Sequence, residues 1–243
     1  MNGLRILVTR PLPDGTRTAK TLRALGHDVL LAPLTRIETI AADFGKGPFA
    51  AILITSANAA RAIAGHARRD ELKKLSVYAV GRHSADAASE AGFSDVTSAD
   101  GDAKDLARIV SARAASAPLL YLAAQDRAGD LPGELDARGI AVTTAVIYRA
   151  AAVPFPQALS QALSQALKSG ALDAVLHFSR RSAELYLKGA GETGVAAPAL
   201  ALHHHCLSKQ VAEPLRQAGA GKISIAPRPD EAALIGCLAL PQG

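Results

Sequence analysis

The sequence predicts an α/β protein built from two similar lobes of parallel sheet covered by helices. Three observations carry this. Short apolar runs alternate with helical patterns along the whole chain, which is how a parallel sheet buried on both faces reads. The second half repeats the first: Ala51-Ile52-Leu53-Ile54-Thr55-Ser56-Ala57-Asn58 returns as Ala174-Val175-Leu176-His177-Phe178-Ser179-Arg180-Arg181. A second echo pairs Ile6-Leu7-Val8 and Gly26 with Leu119-Leu120-Tyr121 and Gly139. Internal repeats fix architecture before other signals do, and two facing lobes imply a cleft for a ligand.

The elements follow in order. Leu4–Val8 reads as a strand, Thr16–Leu25 as a helix ended by Gly26, and Asp28–Leu34 as a strand. Beyond a polar Gly/Pro link come strand Ala50–Ile54, helix Ala57–Ala67, strand Val77–Val80, helix Ser84–Ala91 and strand Asp95–Thr97. Helix Asp102–Arg113 leads to strand Leu119–Leu122, helix Leu131–Ala137 and strand Val142–Tyr148. The rest alternates helix and strand: Gln157–Lys168, Ala174–Phe178, Ala183–Lys188, Ala199–His203, Lys209–Ala218, Ile223–Ile225 and Glu231–Leu240. Two pairings of these units satisfy the pattern. Either the lobes stand in tandem, or a contiguous lobe is inserted into a discontinuous one. Two β-branched segments, Thr35–Ile40 and Thr143–Ala151, would run side by side as a linker in the second scheme.

Composition narrows the function. The chain has 243 residues, of which 49% are hydrophobic and 4% aromatic, so its cores are aliphatic. No apolar stretch reaches the ~18–20 residues that span a bilayer. Met1-Asn2-Gly3-Leu4-Arg5 runs straight into a strand, with no room for a signal peptide. The two cysteines, Cys206 and Cys237, form no metal spacing or disulfide framework. A cytoplasmic setting is expected. Lys and Arg total 27 against 22 Asp and Glu, a net charge of +5. A basic balance suits an anionic partner. Nucleic acid is not expected, because the arginines are scattered and no aromatic stacking runs accompany them.

Candidate chemistry lies at strand ends. Ser56 and Ser179 follow equivalent strands and precede helices, a place for anion-binding amides and equally for a helix cap. Gly81 and Ser84 follow Val77–Val80 in the same way, with Ser208 opposite Gly81 in the other copy. Asn58 follows Ser56, while Thr9 and Arg10 close the first strand; Arg10 is placed to clamp a carboxylate or to sit on the surface. Tyr148, in Val146-Ile147-Tyr148-Arg149, is positioned on the crossing segment to donate a proton, or to pack. His203-His204-His205 falls short of a metal site: only His203 and His205 share a strand face, and a closed site needs about four ligands. Gly189-Ala190-Gly191-Glu192-Thr193-Gly194 matches a dinucleotide fingerprint by letter but follows a helix, so a flexible loop is expected there.

Taken together, the marks resemble the uroporphyrinogen-III synthase family. They are Leu7-Val8-Thr9-Arg10-Pro11, Ile54-Thr55-Ser56-Ala57-Asn58-Ala59, Tyr78-Ala79-Val80-Gly81, Leu120-Tyr121-Leu122, Val146-Ile147-Tyr148-Arg149, Phe178-Ser179 and Pro229-Asp230-Glu231-Ala232-Ala233-Leu234. The resemblance covers nearly the whole chain through their joint order. It implies two Rossmann-like (flavodoxin-like) lobes joined by a two-stranded β linker, the second inserted into the first: 1–37 with 150–243, and 42–146. It also implies closure of hydroxymethylbilane to uroporphyrinogen III, with inversion of ring D and loss of water. Tyr148 matches the family's crossing-segment tyrosine, the expected proton donor. Thr9, Arg10, Ser56, Asn58, Gly81, Ser84, Ser179 and Ser208 are the expected substrate contacts. The family often has Gly and Thr where this chain has Ser208 and Val211, and a Gly/Arg pair where it has Ala123-Ala124-Gln125. No cofactor and no metal are expected, no membrane contact, and a monomer. The competing reading is a non-catalytic two-lobed module binding a small polyanion.

Overall fold

The computed structural model describes residues 3–45, 47–113, 117–127, 129–169 and 171–239. The chain divides into two compact units, residues 1–36 with 151–243 and residues 37–150. In chain order it begins with β1 (Arg5–Val8), α1 (Asp14–Ala24), β2 (Asp28–Leu31) and β3 (Thr35–Thr39). Next come β4 (Ala51–Ile54), α2 (Ala57–Ile63), α3 (Arg69–Leu72), β5 (Ser76–Ala79), α4 (Arg82–Glu90), β6 (Val96–Ser98) and α5 (Ala103–Ser111). Then follow β7 (Leu119–Ala124), α6 (Leu131–Asp136), β8 (Val142–Ala152), α7 (Gln157–Ser169), β9 (Ala174–His177), α8 (Arg180–Glu192) and α9 (Ala196–Ala201). β10 (His203–Cys206), α10 (Lys209–Gln217), β11 (Ile223–Ile225), α11 (Glu231–Gly236) and a 3₁₀ turn (Cys237–Ala239) complete the described chain.

One unit holds a parallel sheet in the order β11-β10-β9-β1-β2. Along β1, Ile6 and Val8 enter the core on one face and Leu7 the core on the other. That double burial is why Ile6-Leu7-Val8 is an unbroken apolar run. In the other unit the order is β3-β8-β7-β4-β5-β6. β8 through β6 are parallel in it. Ile52 and Ile54 of β4 face one core; Ala51 and Leu53 face the other. Renumbered from its own first strand, the first sheet reads 2-1-3-4-5, the flavodoxin-like order. The second has the same spatial order with β4, the third of the five, coming first in the chain. It is the circular permutant of the first, which accounts for the crossed pattern of the sequence repeats.

β3 runs antiparallel on β8: the Ile40 amide donates to the Ile147 carbonyl and the Val153 amide to the Leu34 carbonyl. Arg149 and Glu38 add an ion pair at 2.7 Å across the same two strands. β8 therefore runs four residues past Tyr148, because β3 supplies partners there.

Elsewhere the elements differ from the sequence pattern for identifiable reasons. Residues 199–202 were expected in a strand; the helix α9 takes Ala196–Ala201 and the strand starts at His203. An Ala/Leu run is a good helix former, and Pro198 sits in the first turn where its missing N–H costs nothing. The expected helix Ala57–Ala67 stops at Ile63, and α3 follows as a separate turn. The expected end at Leu240 lies outside the described residues. The glycine-rich segment expected as a loop is helix to Glu192. Gly189 is tolerated because the Phe155 ring lies where its Cβ would be, and Ala183, Tyr186 and Ala190 bury the same helix. Gly189→Ala should thus lower stability by about 1–3 kcal/mol despite alanine's better helix propensity, since overpacking outweighs it. A thermal melt dropping by several degrees checks this; an unchanged melt would mean that Phe155 swings aside freely.

Candidate active site

In open parallel sheets, ligands meet the carboxyl ends of the strands where the strand order reverses. The reversals lie between β1 and β9 in one sheet and between β4 and β7 in the other. The expected site residues fall on these edges. Thr9 and Arg10 follow β1, Ser179 follows β9 and Ser208 follows β10 in one unit. In the other, Ser56 and Asn58 follow β4, Gly81 and Ser84 follow β5, and Tyr148 lies in β8.

The three serines are all helix caps. Ser56 Oγ accepts the Asn58 amide at 3.2 Å, Ser179 Oγ accepts the Ser182 amide at 3.1 Å, and Ser208 Oγ accepts the Val211 amide at 3.4 Å. Ser179 also donates to Ser182 Oγ at 2.9 Å. Gly81 breaks the series. It caps α4 with no side-chain acceptor, and among the described residues a Cβ built there would meet nothing within 4 Å. The start of α4 thus has room for an external acceptor to approach its backbone. The Ser84 amide turns back to the Gly81 carbonyl at 3.0 Å, and Ser84 itself is buried. Asn58 Oδ1 accepts from Arg61 at 3.1 Å.

Thr9 is fully buried, and among the described residues its hydroxyl has no hydrogen-bond partner. An orphaned buried hydroxyl requires an explanation; here it stands at the β1/β9 reversal. Arg10, offered by the sequence as a carboxylate clamp, is already clamped within its own unit. It donates to Thr18 and Glu231 at 3.1 Å and to Asp14 at 3.3 Å, with its guanidinium 4.2 Å from the Phe178 ring centroid. Burial lowers its pKa, and Asp14 and Glu231 oppose that shift.

Tyr148 is 7% exposed, packed in the core that holds Ile54, Ala57 and Ile147. Burial raises the phenol's pKa; a hydrogen bond with Ser56 pulls it back. A register shift in the β7/β8 ladder places Tyr148 opposite Ala124 and Val146 opposite Ala123. This bulge lets consecutive residues Ile147 and Tyr148 enter one core, which a regular strand forbids. Beside it, Tyr121 and Thr55 join hydroxyls at 2.9 Å. Sequence reading took both as plain elements of their motifs. No local pattern announces the meeting of Asp14, Thr18 and Glu231 with Arg10.

His203 and His205 do share a strand face, with rings stacked 4.2 Å apart. His204 faces the other way and bonds His177 at 3.0 Å. Among the described residues, no three His, Cys, Asp or Glu side chains are grouped to hold a metal. No described helix is long and apolar enough to cross a membrane. Cys206 and Cys237 are free and buried, and burial pushes the Cys206 thiol up to about 12.

Comparison with known proteins completes the description. No curated protein sequence matches the chain. Among solved structures, a uroporphyrinogen-III synthetase from Helicobacter pylori superposes with a TM-score of 0.65 at 16% identity, covering 98% of each chain. A mutant uroporphyrinogen III synthase from Thermus thermophilus gives a TM-score of 0.53 at 19% identity, covering 97% of this chain and 98% of that one. At such identities the likeness is one of fold, a mixed α/β fold with parallel sheets. The family model described as Uroporphyrinogen-III synthase HemD matches residues 16–236, nearly the full length. With that match the chain belongs to the uroporphyrinogen-III synthase family.

Proposed function

We propose that this lyase of porphyrin biosynthesis, which closes hydroxymethylbilane to uroporphyrinogen III, meets its substrate at the strand-end loops of its two units. The carrying observation is that every expected contact lies at the carboxyl edge of its sheet, with a helix N-terminus after β4, β5, β9 and β10. Backbone amides at these starts suit the substrate's carboxylates. In this reading Thr9, Ser56, Asn58, Gly81, Ser84, Ser179 and Ser208 bind, largely through main chain around them. Arg10 orders its loop instead of clamping substrate directly.

Tyr148 is the general acid. Its proton goes to the hydroxyl of the substrate's hydroxymethyl group, on the terminal ring opposite ring D, as the carbon–oxygen bond breaks and water leaves. The substituted carbon of ring D attacks the resulting azafulvene cation to give a spiro intermediate. The bond from that carbon to the ring-C methylene then breaks, and ring D recloses, inverted, through its free carbon with loss of that carbon's proton. Holding that geometry against simple closure is mostly a matter of positioning. The lobe arrangement belongs to the same reading: residues 37–150 form a lobe inserted into the other. Support comes from the division of the chain at 36/37 and 150/151 and from the permuted strand order. The enzyme works as a cytoplasmic monomer and needs no cofactor.

Supplying hydroxymethylbilane, oxidising the products and resolving the isomers tests this reading. Isomer III as the dominant product is expected. Isomer I alone, at the uncatalysed rate, would leave the non-catalytic binding module. Because attraction of a polyanion is screened by salt, KM should rise severalfold from about 0.05 to 0.5 M ionic strength. A flat KM would refute the electrostatic part of the binding account.

A further inference from the structure

Pro229-Asp230-Glu231, the last stretch of the family-like pattern of the sequence, leads into α11. Its place in the fold supplies a use. Asp230 caps α11, its Oδ1 accepting the Ala233 amide at 2.8 Å, and so sets Glu231 as the first residue of the helix. Glu231 points at the loop after β1. Its Oε1 accepts from Thr18 at 2.6 Å; its Oε2 accepts from Arg10 at 3.1 Å and from Arg17 at 2.7 Å. The side chains of Arg10 and Glu231 are 14% and 22% exposed, so this pair is mostly removed from solvent. Thr18 is fully buried and Asp14 nearly so.

The main chain beside Arg10 is also held. The Gly15 amide donates to the Pro11 carbonyl at 2.9 Å, and a Cβ on Gly15 would come within 2.7 Å of the Arg10 carbonyl oxygen. The loop from Thr9 to Pro13 is thus pinned on one side by α1 and on the other by a carboxylate from the far end of the chain. Paired charges this buried are costly to separate, because the partner left behind has no replacement in water.

We propose that Glu231 is a positioning residue for substrate binding: acting through Arg10 and Thr18, it fixes the β1–α1 loop in its binding geometry. The inference rests on the reading that this loop meets substrate. It separates two roles for Arg10. A direct clamp would act without Glu231, whereas a latch acts only with it.

KM and kcat of Arg10→Gln, Glu231→Gln and the double variant decide between them, with folding followed by circular dichroism and thermal melts. Arg10→Lys, which keeps the charge but loses the planar fork, serves as a second, milder disruption. Each variant is expected to raise KM about tenfold with kcat within about twofold, the pattern of lost binding rather than lost chemistry. The double variant should be no worse than either single one, since both remove the same latch. Multiplying effects in the double variant would make Arg10 a direct ligand and overturn the proposal. An unchanged KM in Glu231→Gln, with KM raised in Thr9→Val and Ser179→Ala, would also overturn it while the site reading stands. KM unmoved in all these variants would remove both.

Discussion

Tyr148→Phe is expected to fold like the parent and to cyclise hydroxymethylbilane about 10²–10⁴-fold more slowly, the usual cost of losing one general acid. The ring keeps its place among Ile54, Ala57 and Ile147, so the core is not emptied. What goes is the hydroxyl and its bond to Ser56, about 1 kcal/mol of stability at most. The pH dependence has a definite sign. Burial raises the phenol above its ordinary value near 10, so the donor stays protonated through neutral and mildly alkaline solution. The rate should therefore hold over that range and fall only once the raised pKa is passed; the variant should lack that alkaline fall. Single-turnover rates and isomer ratios across pH provide the check. If kcat and the isomer ratio both stay at parental values, Tyr148 packs and does no chemistry.

Acid should weaken the unit formed by 1–36 and 151–243 as pH falls below about 6.5. His177, His204 and His205 are fully buried in its sheet. Among the described residues, His177 Nδ1 and both ring nitrogens of His205 have no hydrogen-bond partner. Burial lowers all three: His204 and His205 fall to about 4, and His177 lies well below its ordinary value. A depressed imidazole is neutral when folded and takes a proton more readily when unfolded. Its contribution is therefore whole above about pH 6.5 and is lost as pH falls toward the folded pKa near 4. Each such group changes stability by about 1.4 kcal/mol per pH unit within that window, so two of them remove about 4 kcal/mol by pH 5. That is a large share of a typical domain's stability. Urea midpoints at pH 8, 6 and 5 should fall accordingly. His205→Phe, which deletes two unsatisfied nitrogens and keeps a flat ring beside His203, should be no less stable at pH 8 and lose stability less steeply below pH 6. Equal slopes for parent and variant would show that His205 does not report its burial in this way.

What the sequence determined by itself was periodic and local. The apolar runs, the glycines after helices and the repeat of Ala51–Asn58 in Ala174–Arg181 specify alternating strands and helices in two matched sets. They do so because each run must bury both faces and each helix must end on a residue free to turn. Ser56 and Ser179 were legible as helix starts because serine caps well after a strand, and in the structure both cap, as does Ser208. The opposite facing of His203/His205 and His204 follows from strand alternation alone. Only tertiary contact decided the rest. Gly189 stays helical because Phe155 fills the space beside it. Tyr148 joins Ile147 in one core through a bulge that no alternation rule predicts. Arg10 reads as a free cation until Glu231, 221 residues away in the chain, is folded against it. Local spacing carries no record of such a meeting, since the energy that selects it exists only once the two ends of the chain have been brought together.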